Sequence, residues 1–459
     1  MKTLLLNRMF IAVSVIACLN FFSFSAKAFS GTGSGTSVDP YLITSASQLN
    51  EVRNSLSSCY QLTADIDLTD WITTNSPTYG WLPIGSAGGA GSYFAGTFDG
   101  NGHVITGLWI TRTTPNPQYY RVGLFGTVGG TVTIKNLGVT VASGKSVSGD
   151  SYVGGIVGAV VDGATLTMSS CYVQGNISTT SINASTSFYA GGLIGGIYHP
   201  STAIATSISV TNCYAGGGTV TSYGNGAGGL VGAVTGLITI TIDKCYAANT
   251  IVNTDALNSA SGILPTAGQY GGSAVTGINV TISNCVAINP SITGKSTLSD
   301  RIFSWASTGA TITLSNNYAL DAITVNGSTI TSGTATNYNG LNKTASELIT
   351  QATYEALGWD FTSVWQMGSG TYTYPVLKNV KLTTGIKSVS DLKSRVYYNS
   401  QSENILVTEK AAGDFVNVYD TQGRLMVRSQ ESVINISRLS KGTYLVNIAG
   451  YSTKIQKQF

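Results

Sequence analysis

The chain has 459 residues, of which 42% are apolar, only 10% are charged and 55 are glycine. Disordered chains combine low hydrophobicity with high net charge, so this composition predicts a folded protein. The net charge of +3 is small and its charges are dispersed along the chain, which excludes nucleic acid as an expected partner.

The N-terminal segment has the pattern of an export signal. Lys2 and Arg8 precede an apolar run, and residues 26–28 (AKA) place small side chains where a signal peptidase cleaves. The sequence therefore predicts a signal peptide over residues 1–28 and a mature chain that begins at Phe29. A protein with this signal is secreted or displayed at the cell surface.

A second interpretation takes residues 15–18 (VIAC) as a lipoprotein box, with lipid attached to Cys18. The apolar run continues beyond Cys18, which favours the ordinary signal peptide. No later stretch reaches the roughly 20 apolar residues of a membrane helix, so we expect no membrane-spanning segment.

A phrase of glycine and aliphatic residues recurs along the chain. Periods of roughly 20 to 50 residues are typical of solenoids, propellers and arrays. Between the phrases, Ile, Val and Leu alternate with Thr and Ser, which predicts strands with one buried face. We expect a parallel β-helix in which each coil needs the same tight corner, with a propeller as the alternative. The phrases end at Gly126, Gly158, Gly195 and Gly232.

A second repeated phrase carries cysteine. Five cysteines follow the signal peptide, and an odd number cannot all pair within one chain. Because asparagine fills the same slot in two copies, the slot suits a small inward side chain better than half of a disulfide. We expect a column of free thiols. The slot is occupied by Cys171, Cys213, Cys245 and Cys285, and by Asn136 and Asn317.

The position after this slot is usually tyrosine. Neighbours on a strand point to opposite faces, so an inward cysteine column predicts an outward tyrosine column. An exposed aromatic stripe on a solenoid would bind a glycan or a host or matrix protein. The alternative is that the rings only stack on one another and stabilise adjacent coils. The candidate ligand-binding residues are Tyr172, Tyr214, Tyr246 and Tyr318.

Carboxylates are scarce in the repeats: residues 121–320 contain five aspartates and no glutamate. Glycoside hydrolysis needs two carboxylates at one bond, so we expect no enzyme and assign no catalytic residue. Asp65 and Asp67 alternate on one predicted strand and are the candidate metal ligands, with calcium as the metal that such oxygens suit. The alternative is that they bind turn backbone groups. An enzyme would require Asp65, Asp67 and Asp99 in one groove.

The glycine phrase followed by Cys-Tyr-Ala resembles the GLUG motif, a repeat of bacterial surface proteins and of the N-terminal regions of immunoglobulin A proteases. Residues 39–50 (DPYLITSASQLN), 94–110 (FAGTFDGNGHVITGLWI) and 358–377 agree with the segments that flank such arrays. The resemblance implies a right-handed parallel β-helix and no particular activity. It divides the chain into a start at 29–120, repeats at 121–320 and a C-terminal cap at 321–380. Residues 345–357 are the one helix candidate and are expected in that cap.

After a linker at 381–387, residues 388–459 change in pattern. They resemble the C-terminal sorting domain of type IX secretion substrates, and a plain immunoglobulin-like module is the alternative. The resemblance implies a small β-sandwich that directs passage across the outer membrane by binding the secretion machinery. The motif positions are Asp420, Gly423, Arg424, Gly442, Tyr444 and Lys454.

Three functions follow from these patterns. The favoured one is a secreted, surface-displayed, non-enzymatic binding protein or adhesin. The others are a carbohydrate-active β-helix enzyme and a structural spacer that has no ligand. A buried tyrosine column would favour the spacer.

Overall fold

The computed structural model describes residues 29–85, 92–112, 120–180, 188–198, 204–255, 258–268, 277–369, 373–382, 396–400, 402–407, 415–420, 424–448 and 451–457. The predicted signal peptide and Cys18 lie outside these residues. The chain forms two compact units, Met1–Lys381 and Leu382–Phe459, each of which is described by itself.

The first unit is a β-helix-like solenoid. The chain crosses four faces in turn and then repeats the circuit one coil further on. Sheet 1 has 16 strands, sheet 2 has eight and sheet 3 has six. Sheet 4 consists of a three-stranded and a two-stranded part, connected through isolated bridges at Val231 and Val234. The prediction of an all-β fold with parallel sheets is confirmed.

The strand bounds follow the order of the faces. Sheet 1 contains Tyr41–Ile43, Cys59–Leu62, Ile66–Asp67, Thr97–Asp99, Val104–Leu108, Thr131–Val141, Thr165–Gln174, Thr206–Thr211, Tyr214–Gly216, Ile238–Asp243, Tyr246–Ala247, Ile278–Ser283, Val286–Ala287, Thr311–Ser315, Tyr318–Leu320 and Leu341–Lys343. Sheet 2 contains Ile110–Thr111, Ser146–Gly149, Asn176–Thr179, Thr219–Ser222, Thr250–Asn253, Ser291–Thr293, Thr324–Val325 and Ser328–Thr329. Sheet 3 contains Arg121–Val122, Tyr152–Gly154, Tyr189–Gly191, Gly226–Gly228, Ser259–Ser261 and Ser299–Asp300, and sheet 4 contains Phe125–Val128, Val157–Val161, Ile194–Tyr198, Leu264–Ala267 and Phe303–Ala306.

The period-two pattern explains why these segments form strands. In Thr165–Gln174, Leu166 and Met168 are buried while Thr165 and Thr167 are exposed. β-Branched side chains suit such a half-buried pleated surface. Each buried side chain lies over its counterpart in the next coil, as Leu166 does over Ile208, so the apolar core is continuous along the solenoid.

A sharp bend divides each long crossing of sheet 1. One residue in each coil has a positive φ of 51–55°, a conformation that asparagine tolerates better than most residues. This column also corrects the predicted cysteine slot, because Asn136 occupies the bend and Leu137 is the residue paired with Cys171. The bend residues are Asn136, Ser170, Asn212, Lys244, Asn284 and Asn316.

The repeated glycines stack where sheets 3 and 4 meet. Val157 pairs with both Phe125 and Ile194, so the glycines that follow these three residues lie at the same position in adjacent coils. A Cβ on Gly195 would lie 2.5 Å from the carbonyl oxygen of Gly158. The phrase recurs because adjacent coils approach too closely for any side chain.

Among the described residues, four α-helices and one 3₁₀-helix interrupt the strands. The helix predicted at 345–357 is present as two short helices, Ala345–Leu348 and Gln351–Glu355. Two further helices, Ala46–Glu51 and Thr69–Asn75, and the 3₁₀-helix Val52–Asn54 were not predicted, because they are too short to show a helical apolar period. After the last coil the chain continues through a hairpin of Trp365–Met367 and Pro375–Leu377.

The second unit contains two antiparallel sheets with one shared apolar cluster that includes Ile405, Val418 and Val446. One sheet has three strands, Val396–Asn399, Asn404–Val407 and Val433–Asn435. The other has four strands, in the spatial order Leu425–Ser429, Val416–Tyr419, Gly442–Ile448 and Tyr451–Lys457. Among the described residues of both units, no helix is long and apolar enough to cross a membrane.

Candidate functional site

The cysteine slot forms an inward column, as predicted. The four repeat cysteines are free and fully buried. The backbone N–H of Cys171 donates to Sγ of Cys213 at 3.4 Å, and that of Cys213 donates to Sγ of Cys245 at 3.3 Å. At the end of the column, Oδ1 of Asn317 accepts from the N–H of Cys285 at 3.0 Å. The slot therefore needs a small acceptor for a backbone N–H of the preceding coil, which explains the exchange of Cys with Asn.

These thiols should be chemically inert in the folded protein. Burial raises the pKa of Cys213, Cys245 and Cys285 well above the usual value, and thiolate is the reactive form. We expect iodoacetamide at pH 8 to modify Cys59, which is partly exposed, and to leave the column unmodified until denaturant is added. Peptide mass spectrometry measures this, and labelling of Cys213 in the native protein would contradict the buried column.

The tyrosines point to the opposite side of sheet 1 from the cysteines. Tyr172, Tyr214 and Tyr246 pair in register and stack, with ring centroids 5.0 and 4.7 Å apart and nearly parallel planes. However, they are only 0%, 2% and 5% exposed. Tyr318 is half-buried, and Nζ of Lys343 lies 5.1 Å from its ring centroid. The prediction of an exposed aromatic stripe is therefore wrong for the first three residues.

A segment that we call the strap, the described residues 344–369 and 373–381 of the first unit, covers this ladder. Trp365 is fully buried and lies 6.3 and 6.2 Å from the rings of Tyr214 and Tyr246. Its indole Nε1 donates to Oδ1 of Asn212 at 3.2 Å. Trp359 packs on Trp365 at 4.4 Å and on Tyr246 at 6.4 Å. The aromatic residues thus form an internal layer between sheet 1 and the strap.

The strap runs from the late coils back to the first ones. Nε1 of Trp359 donates to the carbonyl oxygen of Asn284, whereas the hydroxyl of Tyr172 donates to that of Lys381 at 2.6 Å. The backbone N–H of Lys381 donates to the carbonyl oxygen of Gly102 at 2.9 Å. The expected role of residues 345–357 in an end cap stays a prediction, because the contacts along the side of the solenoid are made by Trp359 and later residues.

The candidate metal ligands have partners within the chain. Asp65 accepts hydrogen bonds from Nζ of Lys381 at 3.0 Å and from the N–H of Val104 at 3.3 Å, and it contacts Nδ1 of His103 at 2.9 Å. Partial burial acts to raise the pKa of Asp65, but the hydrogen bonds from Lys381 and His103 outweigh it and hold that pKa below its usual value. Oδ1 of Asp67 accepts from the N–H of Thr69 at 2.9 Å. Both carboxylates thus bind groups of the protein itself.

Asp99 is held by a different set of partners. Its Oδ1 accepts from the N–H of Asn101 at 2.8 Å and from Nδ2 of Asn136 at 3.1 Å, while Oδ2 lies 3.2 Å from Nζ of Lys135. Among the described residues, no group of three or more His, Cys, Asp or Glu side chains could hold a metal ion. Calcium binding at Asp65 and Asp67 stays a prediction.

The outward face of the first half of each sheet 1 crossing carries exposed or half-buried polar side chains. Two columns of side chains run along it in register, and eleven of their twelve members are Thr or Ser. Rungs of a sheet are about 4.8 Å apart and alternate residues about 6.6 Å apart, so the hydroxyls form a regular grid. We call this grid the hydroxyl face; it contains Thr131, Thr165, Ser207, Thr239, Asn279 and Thr311, beside Thr133, Thr167, Ser209, Thr241, Thr281 and Thr313.

Arg301 closes the solenoid near its last coil. Its fully buried guanidinium donates to the carbonyl oxygens of Asn339, Leu320 and Gly340. The neighbouring Asp300 is mostly buried, which raises its pKa to about 6 although Nδ2 of Asn339 donates to it at 2.7 Å.

Asp300 predicts a pH dependence of stability. A carboxyl whose folded-state pKa is raised makes the folded state most favourable when protonated, so stability should fall as the pH rises from about 4 to 6. We expect Asp300→Asn to remove about 1–2 kcal/mol of this loss of stability. This is less than the free energy equivalent to the whole pKa shift, because the carboxyl group is not completely buried. Urea unfolding at pH 4 and pH 7 measures the unfolding free energy of both proteins. The same change in that free energy between the two pH values for wild type and variant would contradict the prediction.

In the second unit the motif residues hold turns. Asp420 accepts from Nε and from the backbone N–H of Arg424, at 2.6 and 2.9 Å. Gly423 lies outside the described residues. Gly442 begins the strand Gly442–Ile448, and the buried Tyr444 donates its hydroxyl to the carbonyl oxygen of Ser440 at 2.7 Å.

Lys457, which the sequence analysis did not single out, is a buried lysine of the last strand. Lys454 lies opposite Leu445 in the strand ladder. Nζ of Lys457 donates to the carbonyl oxygens of Ile436, Ser437 and Leu439 at 2.8–2.9 Å. Alternation from the buried Ile455 puts Lys457 on the inward side, and that signal could have identified it.

Comparisons with known proteins bear on each unit separately. Residues 395–459 match the family described as "Secretion system C-terminal sorting domain". A crystal structure of a "putative immunoglobulin A1 protease" from Bacteroides ovatus is similar with a TM-score of 0.55 and 23% identity, over 76% of this chain and 95% of that one. That likeness supports the β-helix-like fold and no more.

Two curated relatives match parts of the chain. A "Putative Gly-rich membrane protein" of Evansella cellulosilytica is 42% identical over 117 residues, which are 25% of this chain and 12% of that protein. Halomucin of Haloquadratum walsbyi is 34% identical over 170 residues, or 31% of this chain and 2% of that protein. The chain therefore spans a small part of either relative.

The sorting domain defines the class of this protein. It is a substrate of type IX secretion, and it is attached to the cell surface or outer membrane. The predicted localisation and the predicted interaction of the C-terminal unit with the secretion machinery are confirmed.

Proposed function

We propose that this protein is a non-enzymatic binding protein or adhesin that binds a glycan through the hydroxyl face of sheet 1. The observation that carries the proposal is the grid of Thr and Ser side chains that the strap leaves open. Extended solenoid surfaces commonly serve for binding, and a regular grid suits a ligand that itself repeats.

The chemistry of the face favours a neutral, hydroxyl-rich ligand. Its twelve members are all uncharged, so a charged polymer would gain little by binding there. Hydroxyls both donate and accept, which matches the hydroxyl groups of a sugar chain. Each contact is weak, and affinity would come from several coils that bind one chain at once.

The absence of enzymatic activity is part of the proposal. Asp65, Asp67 and Asp99 each bind donors of the same chain, so the carboxylates that an enzyme would use have structural partners. Their different partners also argue against one shared catalytic groove.

A structural spacer is the second candidate. The covered aromatic ladder favours it, because the tyrosines stabilise the solenoid and leave no aromatic stripe for a ligand. Both functions use the same display route, and they differ only in whether the hydroxyl face binds anything.

We also propose the finer fold features that the family resemblances imply. The solenoid winds right-handedly as a GLUG-type array, and the second unit is a β-sandwich whose two sheets enclose the cluster around Ile405 and Val446. If the sorting domain is cleaved from the protein, the cleavage would occur in the connection between the two units.

Retention of the chain from Phe29 on an array of host and microbial glycans tests the binding function. We expect Thr167→Lys with Thr241→Lys to weaken retention at least about tenfold, because two long charged side chains disrupt the grid. The matched control places the same substitutions at Thr221 and Thr293 on the outward side of sheet 2, and it should bind as the wild type does.

The outcomes separate the candidates. Retention lost in the sheet 1 variant alone supports the hydroxyl face. Equal loss in both variants would refute this location of the site. No retention of the wild-type chain would refute glycan binding and favour the spacer.

A further inference from the structure

We propose that the outer face of the four-stranded sheet in the C-terminal unit is the surface that docks on the type IX secretion machinery. Its centre is an apolar row that crosses three strands. Leu425 lies opposite Tyr419, and Tyr419 lies opposite Leu445. We call these three residues the docking row.

The docking row is uncovered within its unit. Leu425 is 50% exposed and Leu445 is 44% exposed, whereas the inward neighbours Val418 and Val446 are fully buried. An antiparallel sheet normally presents polar side chains on its solvated side, so apolar residues in this position need an explanation.

Exposed apolar side chains are concentrated in this unit. Among the described residues, thirteen large apolar side chains are exposed, and five of them fall within residues 415–445. That span is a small part of the chain, so scattered exposure does not account for it. Four of the five belong to the four-stranded sheet or its immediate edge, and these are Phe415, Leu425, Met426 and Leu445.

Positive charge borders the row. Arg428 lies opposite Asn417, one row away, and its guanidinium carbon is 4.0 Å from the ring centroid of Phe415. Arg424, next to Leu425, has a side chain that is 74% exposed. Residues 395–459 contain eight Lys or Arg and five Asp or Glu. The fitting partner is an apolar surface with carboxylates at its border.

The sorting role supplies the partner. A sorting domain acts only if a component of the secretion machinery binds it, and the motif residues Asp420 and Tyr444 are engaged in turns. The opposite sheet presents one strongly exposed apolar residue, Val433. The docking row and its immediate neighbours thus hold four of the five exposed large apolar side chains in the described part of this unit.

The test uses the full-length chain, produced in a bacterium with a type IX secretion system. Leu445→Glu and Leu425→Glu each place a charge in the docking row, and Val433→Glu is the matched control on the other sheet. We expect each docking-row variant to reach the surface at least about tenfold less than wild type and to accumulate in the periplasm. The control should stay within about twofold. Immunodetection on intact cells and in the periplasmic fraction measures both.

A milder variant separates docking from folding. Leu445→Thr suits a strand but removes most of the apolar contact. We expect its melting temperature to match the wild type and its surface amount to fall severalfold. Normal display of the docking-row variants, including a stably folded Leu445→Thr, would overturn the proposal, as would an equal loss in Val433→Glu.

Discussion

Trp365→Ala should destabilise the first unit by about 3–5 kcal/mol, as expected for truncation of a fully buried tryptophan. Its indole packs on Tyr214, Tyr246 and Trp359, and Nε1 donates to Asn212. The substitution removes these contacts and leaves a cavity between sheet 1 and the strap. Urea unfolding followed by the emission of the other tryptophans measures the loss.

Tyr223→Ala is the matched control for this truncation. Tyr223 is an aromatic residue of the same solenoid, but it is 39% exposed and directly follows a strand of sheet 2, whereas the strap packs on sheet 1. We expect a change of less than about 0.5–1 kcal/mol. A similar stability of the two variants would contradict the view that the strap is docked by its tryptophans.

Gly195→Ala should cost about 3 kcal/mol or more. A methyl group there would lie 2.5 Å from the carbonyl oxygen of Gly158 and 2.8 Å from the carbonyl carbon of Tyr152. Because these are backbone atoms of the adjacent coil, no side chain can move to make room, and the coils must separate. The midpoint of chemical unfolding measures the loss.

Gly144→Ala is the control for the loss of glycine itself. Gly144 has a φ of 69°, and a Cβ there would meet nothing within 4 Å. The substitution should cost about 1 kcal/mol from the left-handed conformation alone. If Gly195→Ala were no more harmful than Gly144→Ala, the glycine column would not be set by the close approach of coils.

Local repetition accounts for the parts of the fold that were predictable. The cysteine column and the glycine column follow from phrases that recur once per coil, since stacked coils put the same position in the same place. The assignment of Asn136 was wrong by one residue because both the bend and the inward slot accept asparagine. Only the pairing of Cys171 with Leu137 distinguishes them.

The cover over the tyrosines could not be predicted in the same way. Alternation indicates correctly that Tyr214 points away from Cys213, but it does not show what lies above Tyr214. The strap contacts residues more than a hundred positions earlier, such as Trp365 with Asn212. It follows no repeat, so its path is set by tertiary packing of Trp359 and Trp365.

The candidate sites show the same limit. The sorting motif was recognisable because its turn residues stand at fixed spacings, but the buried Lys457 was not singled out because the motif does not include it. The hydroxyl face was overlooked for another reason. Thr and Ser in alternate positions of a sequence indicate strands. Only the register between strands shows that these side chains line up in columns and form one surface.

Hydroxyl-radical footprinting of the mature protein tests the central claim most directly, namely that the strap seals the aromatic ladder against solvent. Mass spectrometry would compare Tyr214, Tyr246 and Trp365 with the exposed Tyr79 and Tyr223. We expect strong modification of Tyr79 and Tyr223. Tyr214, Tyr246 and Trp365 should be protected until the protein unfolds. Modification of Tyr214 and Tyr246 at the rate of Tyr223 would contradict the account and restore an open aromatic stripe as the candidate binding surface.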